Sequence, residues 1–477
     1  MITKWSHKLH MTPVLFLMGI ACLTQCKTPV PEAREFDAVS RVTTGQPVSV
    51  MLTSYSTTLL ANGKDQTRLR IALTDSLSRE ITSATDSVRI YVTGDGKITS
   101  DKGNELSIGT DTAGVTYTAC RLTNGICNLI FIAGNQPGKV KVEARSGSLW
   151  PGSHEIHTLP AGLVLMKPEK GQLPATVKPI DRMIGADISF LPQIEERGMK
   201  FYEGGQEIDA IHLLAKHGFN YIRLRIFVNP ENPKGYAPGE GYCGLGYTLK
   251  MAQRVKDAGM KLLLDFHYSD YWADPQQQNK PLAWADLDFK TLQDSVKTYT
   301  SSVLRALKDQ GTLPAMVQIG NEINHGILWP DGHISEPDQL AALLQAGVAG
   351  VEAVDPALPV MMHIALGGQN KEAVFWLDNI IARGVRFDII GLSYYPRWHG
   401  TLEDLKINLT DLQKRYNKPL NVVEYSDFKR EVHDIVFSLP GGYGKGACIW
   451  EPLNWRSGLF DRNGNATELF AVYDKLK

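Results

Sequence analysis

Two glutamates, Glu322 and Glu424, stand where glutamate is a poor choice for a core. Each closes a run of strand-forming apolar residues: MVQIGNEI (316–323) ends on Asn321 and Glu322, and PLNVVEYSD (419–427) carries Glu424. Turn chemistry alone could supply Gly320-Asn321-Glu322 at a strand end, so the rest of the chain has to decide. Paired carboxylates are what cleavage of a glycosidic bond uses, one as acid/base and the other as nucleophile or base. The acid must stay protonated near neutral pH, which burial or a neighbouring negative charge provides. The nucleophile must be ionised, which a nearby arginine favours.

More polar residues fall at the ends of other apolar runs: Asp187, Arg223 with Arg225, His267 with Asp270, His363, Tyr394 with Tyr395, and Trp450 with Glu451. Core packing does not need this density of ionisable groups. Trp272, Trp329, Trp398, Trp450 and Trp455 follow the same run ends, where indole faces could stack on sugar rings. A single tryptophan there is most simply a loop anchor. Five on one rim point to a site.

The elements that must position these groups have a strand–helix rhythm. Strand runs MIGADIS, YIRLRIFV, KLLLDFHYS, MVQIGNEI, LPVMMHIAL, FDIIGLSYYP, PLNVVEYSD and GACIWEPL alternate with helical patterns from Met183 onward. Several helices stop at glycine, as at Gly218, Gly259 and Gly384. Eight such units predict an α/β (β/α)8 barrel, whose site lies at the strand C-terminal ends. An open doubly wound sheet would want a Gly-rich phosphate turn after its first strand, and GADISFLPQIEERG has none.

The first third of the chain reads differently. Short period-two runs between turns, from PVSVMLTSY (47–55) to KVKVEARSG (139–147), predict an all-β sandwich over 46–160. LLANGKDQTRLRIALTD (59–75) resembles the start of bacterial immunoglobulin-like domains, and no chemistry is evident in this domain. The sequence leaves open whether this domain only spaces the barrel or also touches glycan; a Pro/Gly-rich linker (161–180) joins it to a barrel over 181–477. Upstream, a basic start and the apolar run Val14–Leu23 read as a signal peptide over 1–26, too short to span a bilayer. Cys26 resembles a lipoprotein acylation site, with a tether over 27–45. The expectation is therefore an exported bacterial lipoprotein at the outer membrane or cell surface, held by a lipid anchor and monomeric.

At 477 residues with 43% hydrophobic and 21% charged residues, the chain can bury more than one core. A net charge of -1 and scattered basic residues give no nucleic-acid surface. No cysteine spacing suits zinc or haem, and Cys120 and Cys127 could be oxidised after export.

GADISFLPQIEERGMKFY, NYIRLRIFVNP, DFHYSDYWADP, VQIGNEINHGILWPDG, GLSYYPRWHGTL and VVEYS resemble glycoside hydrolase family 53, the endo-β-1,4-galactanases, over nearly all of 183–477. The resemblance implies retaining cleavage of galactan, with Glu322 as acid/base and Glu424 as nucleophile. It makes Arg223 the active-site arginine, sets Asn321 on the sugar 2-hydroxyl, and has Tyr395 orient the nucleophile. Asp187, His267, Trp272 and Trp450 join them as substrate-binding candidates. The stretch after Glu424 is too short for the long calcium-binding loop of many bacterial members, so no metal or other cofactor is expected. DRNGN (461–465) reads as a turn. Galactan and galacto-oligosaccharides are the expected partners. The rival readings are a non-catalytic glycan-binding surface lipoprotein, which the intact carboxylates oppose, and a barrel glycosidase acting on another β-linked polymer.

Overall fold

The structure, a computed structural model, describes residues 39–101, 106–169 and 178–476. The expected signal peptide, Cys26 and most of the tether lie outside the described residues. Eight parallel strands close a barrel: β1 Met183–Asp187, β2 Tyr221–Ile226, β3 Lys261–Phe266, β4 Met316–Ile319, β5 Val360–Ile364, β6 Ile389–Tyr394, β7 Leu420–Tyr425 and β8 Gly444–Trp450. Each matches one predicted run. Closure is direct, because Asp187 on β1 is in register with Arg223 on β2 and with Trp450 on β8.

Period-two alternation explains how the barrel is filled. Met183, Tyr221, Leu263, Met316, Met361, Ile389, Val423 and Cys448, one from each strand, form a buried plug across its interior. Two residues further along β2 to β5, the inward positions turn polar: Arg223, Asp265, Gln318 and His363, all buried. The outward strand residues pack against the surrounding helices in the larger core. Gly218, Gly259 and Gly384 follow helix ends with positive φ, as the sequence predicted.

The all-β region is a sandwich of two six-stranded sheets. Its core includes Val50, Leu52, Leu69, Ile71, Val88, Ile90, Phe131 and Val142. The Cys120 and Cys127 thiols are buried and unbridged. The strand Gly152–Pro160 pairs antiparallel with Gly138–Arg145 and parallel with Thr58–Ala61.

The sandwich makes buried contacts at its junction with the barrel. Glu372, 1% exposed on the helix after β5, accepts hydrogen bonds from the Thr57 N–H, the Thr57 hydroxyl (2.9 Å) and the Thr58 hydroxyl (2.7 Å). His157 stacks on His325 with ring centroids 3.7 Å apart. Lys139 donates to the Gln276 carbonyl at 3.0 Å. A tether would leave polar, wetted surfaces. This contact buries Thr57, His157, His325 and Glu372.

Candidate active site

At the C-terminal ends of the barrel strands, Glu322 and Glu424 line one cavity of about 600 Å³, together with Asn321, Trp272, Tyr395, Trp398 and Trp450. Gly320 (φ 79°) lets β4 turn sharply, and a Cβ there would meet Ile323 Cγ2 at 2.5 Å. Glu322 follows in the left-handed region (φ 49°, ψ 52°), a conformation costing a non-glycine residue about 1–2 kcal/mol. The Gly-Asn-Glu run is thus a strained turn that aims a carboxylate into the cavity.

The two glutamates have unlike neighbours. Glu424 Oε1 accepts from Arg223 Nη1 at 2.7 Å and its Oε2 accepts from the Tyr395 hydroxyl at 3.1 Å. Glu322 Oε1 accepts from the Ser393 hydroxyl at 2.6 Å, and among the described residues no ion pair reaches it. Burial, then the nearby Glu424 charge, pushes Glu322 well above the ordinary glutamate range, against the Ser393 hydrogen bond. Burial also raises Glu424, but the Arg223 guanidinium opposes it. A proton shared by the pair therefore rests on Glu322 while Glu424 stays ionised. Burial and the two glutamates hold Tyr395 well above the ordinary phenol range, so it remains a donor.

Arg223 is the hub. Besides Glu424, it bonds Asp187 (2.9 Å), Asp265 (2.8 Å) and Asn321 Oδ1 (2.8 Å), with its Nε reaching Gln318 at 3.2 Å. Burial alone would lower its pKa, but Asp265, Glu424 and Asp187 raise it instead. His267 braces this network through Asp265 (3.1 Å) and accepts from the Ala273 N–H (3.1 Å). His363 Nε2 lies 2.8 Å from Ser393 Oγ. Its Nδ1 lies 3.0 Å from Asn321 Oδ1 and 3.1 Å from Gln318 Nε2, so the ring ties Ser393 to the amides beside Arg223. Burial holds His363 well below the usual histidine range, so it is neutral and suits this arrangement.

The structure sorts the sequence candidates by place. Glu322, Glu424, Asn321, Tyr395, Trp272 and Trp450 line the cavity. Asp187, Arg223 and His267, expected against substrate, are buried behind the wall and position what lines it. Asp270 accepts from the Asn229 and Leu282 N–H groups and fixes loops. Among the rim tryptophans, Trp398 also lines the cavity, whereas Trp329 lies under Lys139 (4.9 Å) and Trp455 packs beneath Arg462 (4.3 Å). Asp265, Gln318 and Ser393 escaped notice as site residues. Asp265 and Gln318 carry a signal, a polar inward position in an apolar strand; Ser393 carries none.

The sandwich reaches the same cavity through Thr57, Ser153, His154 and Glu155. Among the described residues, no group of three or more His, Cys, Asp or Glu could hold a metal ion. The stretch after β7 is taken by the helix Lys429–Phe437, and the Asp461 carboxylate accepts from the Asn463 and Asn465 N–H groups within its turn.

Residues 183–437 match the family model described as glycosyl hydrolase family 53, and residues 50–155 match that of glycoside hydrolase family 2 C-terminal domain 5. A protein of Niallia circulans, described only as an uncharacterized protein in bgaB 5′ region, is 40% identical over 333 residues, 60% of this chain and 89% of its own. Arabinogalactan endo-β-1,4-galactanase A of Aspergillus niger is 36% identical over 249 residues, 50% of this chain and 69% of its own. The solved GH53 catalytic domain of Ignisphaera aggregans superposes with a TM-score of 0.58 at 32% identity, covering 65% of this chain and 98% of that one.

Proposed function

Because this chain belongs to glycosyl hydrolase family 53, we propose that it cleaves β-1,4-galactosidic linkages within galactan by a retaining, double-displacement mechanism. The observation that carries the reading is the asymmetry of one shared cavity: Glu424 on Arg223 and Tyr395, Glu322 on Ser393 alone.

Glu424 is the nucleophile. Two hydrogen bonds fix its oxygens and keep it ionised, so an electron pair from it can attack the anomeric carbon as the glycosidic bond breaks. Glu322 is the acid. Its proton goes to the leaving oxygen, while Ser393 holds Oε1 and leaves Oε2 for the transfer. Once Glu424 is esterified, its charge is gone and Glu322 loses part of what held its proton. Glu322 then takes a proton from water, which attacks the anomeric carbon and frees Glu424. Asn321 gives Oδ1 to Arg223 and one amide hydrogen to the Ala273 carbonyl, and its other N–H faces the cavity for a sugar 2-hydroxyl.

The test is release of reducing sugar from galactan, mannan and glucan. Release from galactan supports the reading. Release from mannan or glucan in its place gives the reading to another β-linked polymer, and release from none overturns it. The proposal includes export with lipid attachment at Cys26, supported by the basic-then-apolar start of the sequence. Mass analysis of the mature N-terminal peptide tests this; an unmodified N-terminus would contradict it.

A further inference from the structure

The family match spans residues 183–437, yet four residues lining the cavity of Glu322 and Glu424 come from the sandwich. Their placement is built, not incidental. Thr57 is held by the buried Glu372 carboxylate, His157 is stacked on His325, and the Arg397 guanidinium donates to the Pro151 carbonyl next to Gly152–Pro160. Glu155, a quarter exposed, is fixed by Lys139 at 2.8 Å and His157 at 3.0 Å. Burial would raise its pKa, but His157 and Lys139 bring it down to about 2, so Glu155 is an ionised acceptor.

The position of this wall is informative. The sandwich meets the barrel on the segments that follow β3 (Gln276), β4 (His325, Trp329), β5 (Glu372) and β6 (Arg397). Glu322, at the end of β4, lies within that arc; Glu424, at the end of β7, lies outside it beside β8. An acid stands on the side where the leaving group departs. The sandwich therefore rises on the leaving-group side. Trp398, 42% exposed and against Tyr395, offers an indole face there.

We propose that the strand Gly152–Pro160, through Ser153 and Glu155, forms a wall of the leaving-group half of the cleft and binds galactosyl residues on the reducing-end side of the scissile bond. The proposal rests on the galactan reading above. The sandwich is thereby a specificity-determining part of the enzyme: Glu155 accepts from sugar hydroxyls, and the Ser153 backbone and side chain set the width available to the departing chain.

The experiment uses the full chain with Ser153→Trp, which fills the wall, and separately Glu155→Gln, which keeps shape and removes charge. Each is assayed on galactan and on an aryl β-galactobioside, whose small leaving group does not span the wall. The readout is the quotient of the two kcat/KM values, with KM and kcat resolved for galactan. Glu155→Gln should lower this quotient about fivefold, the weight of a charge-assisted hydrogen bond, mainly through KM. Ser153→Trp should lower it about tenfold or more, a loss of about 1.4 kcal/mol in binding. An unchanged quotient in both variants overturns the proposal, as does equal loss on both substrates, which marks a structural effect. Galactan left intact by the wild-type enzyme is a different failure, that of the functional reading, and takes this proposal with it.

Discussion

At the scale of single residues, function rests on giving two chemically identical carboxylates different protonation states. Arg223 and Tyr395 do this for Glu424 by bonding its two oxygens, whereas Glu322 receives its side-chain hydrogen bond from Ser393 and is raised by burial and the Glu424 charge. Glu424→Gln removes the nucleophile and Glu322→Gln the proton donor. Each should cut galactan turnover by about 10²–10⁴ or more while the fold persists, since both face a cavity. An aryl galactoside with a good leaving group should partly spare Glu322→Gln, and steady-state kinetics on both substrates checks it. Ser393 permits a sharper test. Its hydrogen bond favours ionised Glu322, so Ser393→Ala should raise the Glu322 pKa further. Activity needs Glu322 protonated, so the alkaline limb of kcat/KM should move to higher pH by about one unit or less. A limb moving down would mean Ser393 holds the proton on.

At the scale of elements, the strand Gly152–Pro160 and the loop holding His325 and His333 form a junction crowded with histidines. Burial holds His154 near 4, His157 near 3, His333 near 4 and His399 near 3. These groups are neutral when packed and charge readily when released. Their folded pKa values lie below the unfolded value of about 6.5, so the stability they contribute is present above that pH. It is lost progressively as pH falls from there toward 3–4. Glu372 acts in the same sense: burial raises it, but His325 close by (3.6 Å) and hydrogen bonds from Thr58 and Thr57 leave it below its ordinary value. Thermal melts at pH 7.5 and pH 5 should show lower stability at pH 5, and His157→Gln should flatten the difference. Equal slopes for wild type and variant would contradict this account of the junction.

The same elements show what was legible in the sequence. All eight barrel strands were, because buried parallel strands are written as near-continuous apolar runs and their helices end on glycine. The carboxylates and Asn321 were legible as polar residues at apolar run ends. GSHEIHTLP (152–160) was not read as a strand: two histidines and a glutamate interrupt its apolar pattern, since one face meets the barrel and the cavity. Trp329 reads like Trp272 in sequence, and only the sandwich above it separates them. Interfaces between domains leave no local periodicity, and that is where the sequence reading ended.

At the scale of the whole molecule, the sandwich and barrel share a partly buried contact and a cavity. A chain starting near Ala175 keeps every barrel strand, but it bares Glu372, His325 and Trp329 and removes one cavity wall. The hydrogen bonds to Glu372 and the His157–His325 stacking are lost with the sandwich, so this shortened chain should melt several degrees lower and cleave galactan less efficiently than the full chain. Calorimetry and galactan kinetics on both chains check it. Equal melting and equal kcat/KM would return the sandwich to the role of a spacer.

The claim that joins these scales is that Glu424 forms a covalent bond to the sugar while Glu322 supplies the proton. The direct measurement is trapping. A 2-deoxy-2-fluoro-β-galactobioside with a good leaving group slows both steps, and its leaving group lets the first outrun the second. Peptide mass analysis after brief incubation should find one fluorogalactobiosyl group per chain, on the peptide containing Glu424 and attached to that residue. A label on any other residue, or release of the α-anomer with no label at all, would contradict the account.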